Sequence, residues 1–573
     1  MTIAQVLAEF AVSTPVQAID GVALERAKMS LASTVASASM GYGIASTQMV
    51  RGMELDEGGA PHAVVWFDAA RLPVSRAARV NAVASDAAAS DDSDLRSIAH
   101  IGTIVSTVSM ALGERLGSSG RDVLGAMVLG YEVAGRIDEA LTPGRMQRGF
   151  HGSVSTVFGA AVAGGRLLGL DADRMAQAIA IAATSIGGMA IAADTSCARE
   201  YHAGLAAMLG TQAALAAHRG FAAEPAVLEA PRGFFSAMGG QALEDVTRDL
   251  GQTWDIVTDM AIKLMPGAHP FHAVAEAAAD AARAGDVDPA AIDRVMISAA
   301  VQHTSFRGDP HPRNLVDAAH SLQYFVAAAI VDRGFGWQHM DPARMADPVI
   351  GALQDKIVFD PDPPPLPDRF PHRHGGTVII TMKDGRQWRS TCKLPRGAGP
   401  RGVQWDDVEA KYRRLAPRSG LADRHVEDSL AMIRDFDRVG DVAEFIDTLE
   451  RVAAEVEETH GVPIEVVSVG DCPLDEGLHA TLQAAREAMV NAAKYAGADT
   501  ISVFCEVEPE EVLVFVRDRG AGFDLNAVPA DRMGVRGSII GRMERHGGQA
   551  RIRTAPGEGT EVQLRMPRSP AAR

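Results

Sequence analysis

From Met1 to about Pro266 the chain reads as one helix after another, with alanine and glycine recurring throughout. Side chains this small let helix backbones approach closely, so the stretch calls for helices packed on helices. Small polar residues mark helix starts, at Ser119-Gly-Arg-Asp before Val123-Leu124 and at Asp171-Ala-Asp before Met175. Strand-like patterns begin near Ile292, where Arg294-Val-Met-Ile-Ser runs into further apolar residues. Gly376 to Met382 then meets Gln387 to Cys392 through Lys383-Asp384-Gly385, a hairpin signal. The proline-rich stretch Asp360 to Pro371 reads as a loop, and helices resume at Trp405.

Near Glu450 the character changes. Arg451 to Thr459 reads as a charged amphipathic helix, Pro463-Ile-Glu-Val-Val-Ser-Val as a strand and Leu478 to Tyr495 as a helix. Ile501 to Cys505, Val512 to Arg517 and Glu561 to Met566 are further strands. At about 150 residues per domain, the 573 residues suit a multidomain chain. The expected fold is a large all-α domain (1–266 and 404–449), a smaller α/β domain (267–403) and an α/β sandwich (450–573).

With 55 Lys+Arg against 73 Asp+Glu, the formal charge of −18 argues against a nucleic-acid partner, which needs clustered cations. The four cysteines lie far apart, without a metal or disulfide spacing, which suits a reducing cytoplasm. No basic region leads into an apolar signal core at the N-terminus. Met175 to Ala193 is uncharged, but it contains Gln177, Thr184, Ser185 and Gly187-Gly188 and reads as a buried core helix rather than a membrane span. The expectation is a cytoplasmic protein without a membrane segment. Lysine is scarce, at 28, 263, 356, 383, 393, 411 and 494 only. Unlike arginine, lysine can be tuned into a base, which singles out Lys263 and Lys494.

Four pieces of the tail carry chemistry in a fixed order. Glu487, Asn491 and Lys494 share one face of a helix, an amide oxygen suited to magnesium beside a cation suited to phosphate. Asp518-Arg-Gly520-Ala-Gly522 follows a strand, its glycines allowing close approach to a flat ligand while the carboxylate accepts from an amine. Gly534-Val-Arg-Gly537-Ser-Ile-Ile-Gly541 suits a phosphate lid, and Gly557-Glu-Gly559-Thr560 precedes the last strand. Together they resemble the ATP-binding domain of the Bergerat (GHKL) fold found in histidine kinases, over about 450–573. The resemblance implies ATP and magnesium as ligands, with Asp518 reading adenine, Asn491 holding the magnesium, Glu487 as candidate base and Gly534 to Gly541 as lid. A histidine kinase would also place a phospho-accepting histidine upstream. His425 lacks that family's surrounding basic and leucine pattern.

In the first part, no His-Glu-x-x-His or Cys/His metal spacing occurs, and Gly397 to Gly402, interrupted by Pro400, reads as a loop. Small polar islands interrupt the apolar helices. They are Asp91-Asp92-Ser93 with His100, Gly149-Phe-His151-Gly, Arg199-Glu-Tyr-His202, Lys263-Leu-Met-Pro with His269 and His272, and His320-Ser-Leu-Gln-Tyr324. This order, with Gly130-Tyr-Glu132 and Leu228-Glu-Ala-Pro-Arg-Gly-Phe, resembles the MmgE/PrpD family of lyases and epimerases of small polycarboxylates, over about 1–450. The resemblance implies a homodimer formed through the helical domain and no cofactor for the lyase part. It also implies a catalytic set of His100, His151, Lys263 and Tyr324.

The chain departs from that pattern at two places. The family's His-x-x-Asp-x-Asp-Asp-Thr reads Asp86-Ala-Ala-Ala89-Ser-Asp91-Asp92-Ser93, and the lysine before Leu-His-x-Gly is Arg199. The chemistry needs a base of suitable pKa next to a carboxylate, and cations to bind and polarise that carboxylate. Histidine or a desolvated lysine can be the base, and Arg199 and Lys263 can be the cations. Asp91, Asp92, Ser93, His202, His269 and His272 complete the expected substrate site. The alternative reading is a carboxylate sensor that controls the ATP-binding domain.

Overall fold

The structure is a computed structural model describing residues 1–68, 70–185, 187–304, 308–365, 375–440, 442, 456–457, 459–469, 476–508, 510–523 and 539–567. It divides into two compact units, one of residues 1–116 and 120–438 and one of 117–119 and 439–573.

The first unit is built round helices Gly21–Gly41, Val74–Ala87, Ile101–Leu116, Gly120–Leu141, Ser153–Leu167 and Ala198–His218, packed on one another. The small residues do what their spacing predicts. A Cβ on Gly130 would lie 2.6 Å from the carbonyl oxygen of Gly159 on the facing helix, and one on Gly41 would overlap that of Ala84. Gly130→Val is expected to prise helices Gly120–Leu141 and Ser153–Leu167 apart, at a cost of about 1–3 kcal/mol from overpacking. Thermal denaturation would show this as a lowered Tm, and an unchanged Tm would refute it.

This region is not purely helical, however. Two short antiparallel ladders interrupt it, Ala63–Val64 with Arg71–Leu72 and Asp92–Asp94 with Met260–Ile262. Strands of two or three residues are too short for alternation to reveal them. Met175 to Ala193 is likewise not one helix: Ala172–Ala182 ends, and Ala190–Thr195 starts anew. Among the described residues no helix is long and apolar enough to cross a membrane.

A four-stranded sheet follows, in the order Ile357–Phe359, Ile292–Ser298, Gly376–Met382, Gln387–Cys392. The last two strands form the antiparallel hairpin that Asp384-Gly385 announces, with Gly385 at φ +87°. Helices His272–Ala284 and Leu322–Val331 bury Val274, Ala278, Phe325 and Ala329 in a core shared with Val295, Ile297, Val378 and Ile380. Helix Trp405–Leu415 returns to pack on Gly21–Gly41.

The second unit holds a five-stranded sheet in the order Gln549–Ala555, Gly559–Pro567, Glu511–Asp518, Ile501–Val507, Ile464–Val469. Only the last pair is parallel. Alternation along the strands turns Ile501, Val503, Val512, Val514, Val516, Val562 and Leu564 to one face. Helix Glu476–Asn491 covers that face with Ala484, Ala485, Ala488 and Met489. Strand Gln549–Ala555 was not expected. Its Gln-Ala-Arg-Ile-Arg-Thr-Ala alternates, but with one large apolar residue the signal is weak. Most of the charged helix expected at Arg451 to Thr459, and Gly534 and Gly537 of the expected lid, lie outside the described residues.

Candidate functional site

Asp86 lies in the last turn of helix Val74–Ala87, and the chain then turns through Ala89, whose φ of +50° is a left-handed conformation rare for alanine. That turn feeds strand Asp92–Asp94, whose register sets Asp92 opposite Ile262 and so brings Asp91 beside Lys263. The Lys263 amide donates to the Asp91 carbonyl at 3.2 Å, and its Nζ lies 3.1 Å from Asp91 Oδ1. The other oxygen of Asp91 accepts from Thr103 Oγ1 at 2.9 Å.

His100 joins this pair to Asp86. Its Nδ1 lies 2.5 Å from Asp86 Oδ1 and 2.9 Å from Asp91 Oδ2, which leaves Nε2 for the cavity that His100 lines. Asp86 also holds Arg199, whose Nε donates to Oδ2 at 3.0 Å. The same guanidinium donates to the carbonyls of Asp86 and Ala87, capping helix Val74–Ala87.

The resulting chain, Arg199–Asp86–His100–Asp91–Lys263, is almost entirely buried. Burial opposes the charge of Asp86, yet Arg199 and His100 hold its carboxyl well below the usual carboxylate range. Burial also opposes the charge of Asp91, yet His100 and Lys263 bring it down to about 2. For His100 burial works against the imidazolium, but Asp91 and Asp86 outweigh it and push the ring up to about 9. Asp86, Asp91 and His100 offer ligand atoms within 4.8 Å of one another, the spacing of a metal site. Here Arg199 and Lys263 already supply the countercharge, so the set is better matched as an ion-pair network than as a metal centre.

The cavity in front of the network is lined by His100, Arg145, His151, Asp194, Arg199, Lys263, His269 and His320, with Phe150, Met146 and Ala268 among its apolar walls. The loop bearing His151 is tied down by backbone bonds from His151 to Gly188 and from Ala190 to Gly149. A Cβ on Gly188 would lie 2.5 Å from Ser153 Oγ and would force that hydroxyl to move. His151 Nδ1 is 3.3 Å from both the amide and the hydroxyl of Ser153, and its ring is 5.7 Å from that of His202. Burial, and then the charge on His100, push His151 well below the ordinary histidine value, so it is neutral. Burial and the neighbouring His272 do the same for His269.

Of the residues expected in the first part, the cavity thus gathers His100, His151, Arg199, Lys263 and His269. Asp91 stands directly behind them, as does His202 beside His151. His272 stacks on Phe325, deeper in, and burial brings it down to about 3. Three more are turned away from the cavity. Tyr324 is fully buried and donates its hydroxyl to the His339 carbonyl at 2.6 Å, because helix Leu322–Val331 turns it into the core of the four-stranded sheet. Asp92 points back towards Gly102, accepting from the Thr103 amide, and burial with the charge of Asp91 pushes it up to about 6. Ser93, next along the strand, has its hydroxyl near the Asp94 carbonyl.

Arg145, His320, Asp194 and Asp86 stand outside the expected set. So does Lys411, which reaches from helix Trp405–Leu415 to Ser33 Oγ and the Ser90 carbonyl, and burial pushes it down to about 7. The scarcity of lysine was the available signal for Lys411.

In the second unit Asp518 ends its strand, only 4% exposed, and accepts the Gly520 amide at 2.9 Å. A Cβ on Gly520 or Gly522 would collide with the carbonyls of Ala496 or Ala555. Asn491, one turn along from Glu487, keeps a buried amide nitrogen without a partner. Lys494 does not continue their face: Ala492–Ala496 is a π-turn, wider than the α-helical period, and leaves it exposed. Thr560 Oγ1 pairs with Thr554 Oγ1 at 3.1 Å beside the Gly557 turn. An orphaned amide N–H that needs an acceptor, a buried carboxylate and glycines pressed on backbone fit a nucleotide and its phosphates, and the Asn491 amide oxygen would be the atom for magnesium. Asn491 and Glu487 would face the metal and phosphates, and Asp518 the base.

Fold and site together define a two-module chain, with a helical core backing a histidine-lined cavity and a separate sheet-and-helix unit of the nucleotide-binding kind. The chain belongs to the MmgE/PrpD family, matching the MmgE/PrpD N-terminal domain over residues 5–245 and the MmgE/PrpD C-terminal domain over 265–435. Residues 479–570 match the histidine kinase-, DNA gyrase B-, and HSP90-like ATPase family. Cis-aconitate decarboxylase of Homo sapiens is 28% identical over 384 residues, covering 65% of this chain and 78% of that protein. Cis-aconitate decarboxylase of Aspergillus terreus strain NIH 2624 is 26% identical over 463 residues, covering 74% and 91%. Among solved structures, the ATP binding domain of PrrB from Mycobacterium tuberculosis is 21% identical, covering 22% of this chain and 95% of that one at a TM-score of 0.19. The histidine kinase domain of a blue-light activated kinase from Erythrobacter litoralis is 15% identical, covering 27% and 80% at a TM-score of 0.19.

Proposed function

We propose that the first unit is a cofactor-independent lyase of the dehydratase type, or an isomerase, that removes a proton next to a carboxylate of a small di- or tricarboxylate. The observation that carries this is the meeting, in one cavity, of His100, held between the carboxylates of Asp86 and Asp91, and His151, whose ring touches Ser153 and His202 instead. An acid and a base held apart in pKa are what elimination or epimerisation requires. His151 is the neutral imidazole that takes up the proton, its ring oriented by the Ser153 amide, which donates to Nδ1. Arg199 and Lys263 orient and polarise the carboxylate, and His100 Nε2 donates to the leaving hydroxyl or the developing enolate. His269 lines the floor as a neutral donor. Decarboxylation as performed by the named relatives is less favoured, because Ala89 and Arg199 replace two residues of the family pattern. The protein works in the cytoplasm as a homodimer through its helical part.

The test is an NMR screen of small di- and tricarboxylates without ATP, watching for gain, loss or inversion at the carbon next to a carboxylate. Turnover of at least one acid is expected, and binding without turnover would favour the second reading. That reading, a carboxylate sensor, has one observation in its favour, the ATPase-family domain on the same chain. In it, a bound acid would change ATP hydrolysis.

For the second unit, ATP with magnesium supplies the phosphoryl group when bound. This chain's part is to hold adenine at Asp518 and the metal at Asn491. ATP–magnesium is expected to raise the melting temperature of the wild type and not of Asn491→Ala. At a hundredfold excess over Kd the stabilisation is about 2.7 kcal/mol, and an equal shift in both proteins would refute the assignment.

A further inference from the structure

Asp86 occupies a telling position. One of its oxygens takes Arg199 Nε and the other takes His100 Nδ1, so both cationic groups on that wall already hold a carboxylate, supplied by the protein itself. Lys263 is matched in the same way by Asp91, and Arg145 by Asp138 at 2.9 Å. Glu200 adds a further carboxylate 3.8 Å from Arg199. The cavity therefore resembles an electropositive site with its anion places already partly filled.

Asp194 points the same way. It lines the cavity, and while one oxygen lies 3.7 Å from His320 Nε2, the other is buried without any hydrogen-bond partner. A buried carboxylate oxygen in that state requires a donor, and it repels an anion. Burial keeps His320 neutral and unable to supply the charge.

From this geometry, and resting on the carboxylate-lyase reading above, we infer that the substrate is a hydroxy acid with no more than two carboxylates. Asp86 and Asp194 act as the residues that exclude a third, and Asp194 receives the substrate hydroxyl. An acid with three carboxylates would bring three negative charges to a cavity where each of these cations already faces a carboxylate of the protein and Asp194 adds one more. One fewer carboxylate, with a hydroxyl turned to Asp194, satisfies the orphaned oxygen and leaves Lys263, Arg199 and His100 to share the remaining anions.

The test uses the full chain and isothermal titration with malate (both enantiomers), succinate and citrate, without ATP. In the wild type one malate enantiomer is expected to bind on the order of tenfold more tightly than citrate, and more tightly than succinate, which lacks the hydroxyl. Asp194→Asn and Asp86→Asn should each improve citrate relative to malate, to within about threefold. Because removing Asp86 leaves Arg199 buried without its partner, Asp194→Asn, at the cavity wall, keeps the test open if Asp86→Asn fails to fold. Citrate binding as tightly as malate in the wild type overturns the inference and leaves the lyase reading standing. So does a malate-to-citrate ratio that neither variant moves. Binding of none of the three acids overturns the carboxylate reading, and the inference with it.

Discussion

Alanine at position 151 is expected to lower kcat by about 10²–10⁴-fold, the range spanned by loss of a positioned base, while KM moves far less. The expectation follows from where the ring sits. It touches Ser153 and His202 and faces the cavity, so its removal takes away a proton acceptor without removing a partner from the Arg199–Asp86–His100–Asp91–Lys263 network. The pH profile separates a chemical role from a structural one. Burial and the His100 charge hold His151 below the ordinary histidine value, so the acidic limb of kcat/KM should lie below about pH 6.5. His100, raised to about 9 by Asp91 and Asp86 against the pull of burial, must keep its proton, so activity should fall as pH rises through about 9. His151→Ala should lose the acidic limb and retain the alkaline one, and His100→Gln should do the reverse. A His151→Ala enzyme with wild-type kcat, or one that keeps both limbs, would remove His151 from the mechanism.

What could be read from the residues, and what could not, follows the range of each interaction. The hairpin of residues 376–392 is announced by Asp-Gly between two β-rich runs, and the helix over Leu478 to Asn491 by its apolar period, because both are local patterns. His151, Lys263, His100 and Arg199 stand out as polar residues in otherwise apolar helical segments, and all four reach the cavity. Asp86 carries no such mark. It is one carboxylate at a helix end, and its meaning depends on Arg199, 113 residues away, and on the turn at Ala89. Tyr324 shows the converse. The Ser-x-x-Tyr spelling is present, but the helix that carries it faces Phe335 and His339, so the hydroxyl is spent on a backbone carbonyl. Lys263 depends on both kinds of information, since its rarity is visible in the sequence but its partner is set by the register of a three-residue strand.

That short strand is also where the largest loss of stability is expected. Arg96 follows it by two residues and lies in a buried cluster, with Nη2 3.0 Å from Asp94 and 2.5 Å from Asp255, Nη1 3.0 Å from Glu139 and Nε 3.7 Å from Asp259. Glu132 and Arg136 adjoin it, paired with each other at 2.9 Å. The acids outnumber the arginines, so burial and mutual repulsion push Asp94 up to about 7 and Glu132 up to about 8 even with both arginines in place. Arg96→Met removes the cation that bridges Asp94 on one ladder strand to Asp255 and Asp259 just before the other. Breaking a buried pair of this kind costs about 3–5 kcal/mol, and Arg96→Lys should recover part of it. The sign of the pH dependence is fixed. A carboxyl whose folded pKa is raised contributes stability below its unfolded value, near 4, and loses it as pH rises through the folded value, here about 7 to 8. Without Arg96 those carboxyls rise further, so the deficit in Tm should be largest at pH 8 and shrink towards pH 5, where the acids hold protons. Glu132→Gln, which keeps an acceptor for the Asp255 amide but cannot ionise, should gain on the wild type over the same interval, by at most about 1.4 kcal/mol per pH unit. A deficit in Arg96→Met that is independent of pH would mean that shape, not charge, holds the ladder in place. In that case Asp91 and Lys263 owe their meeting to packing alone.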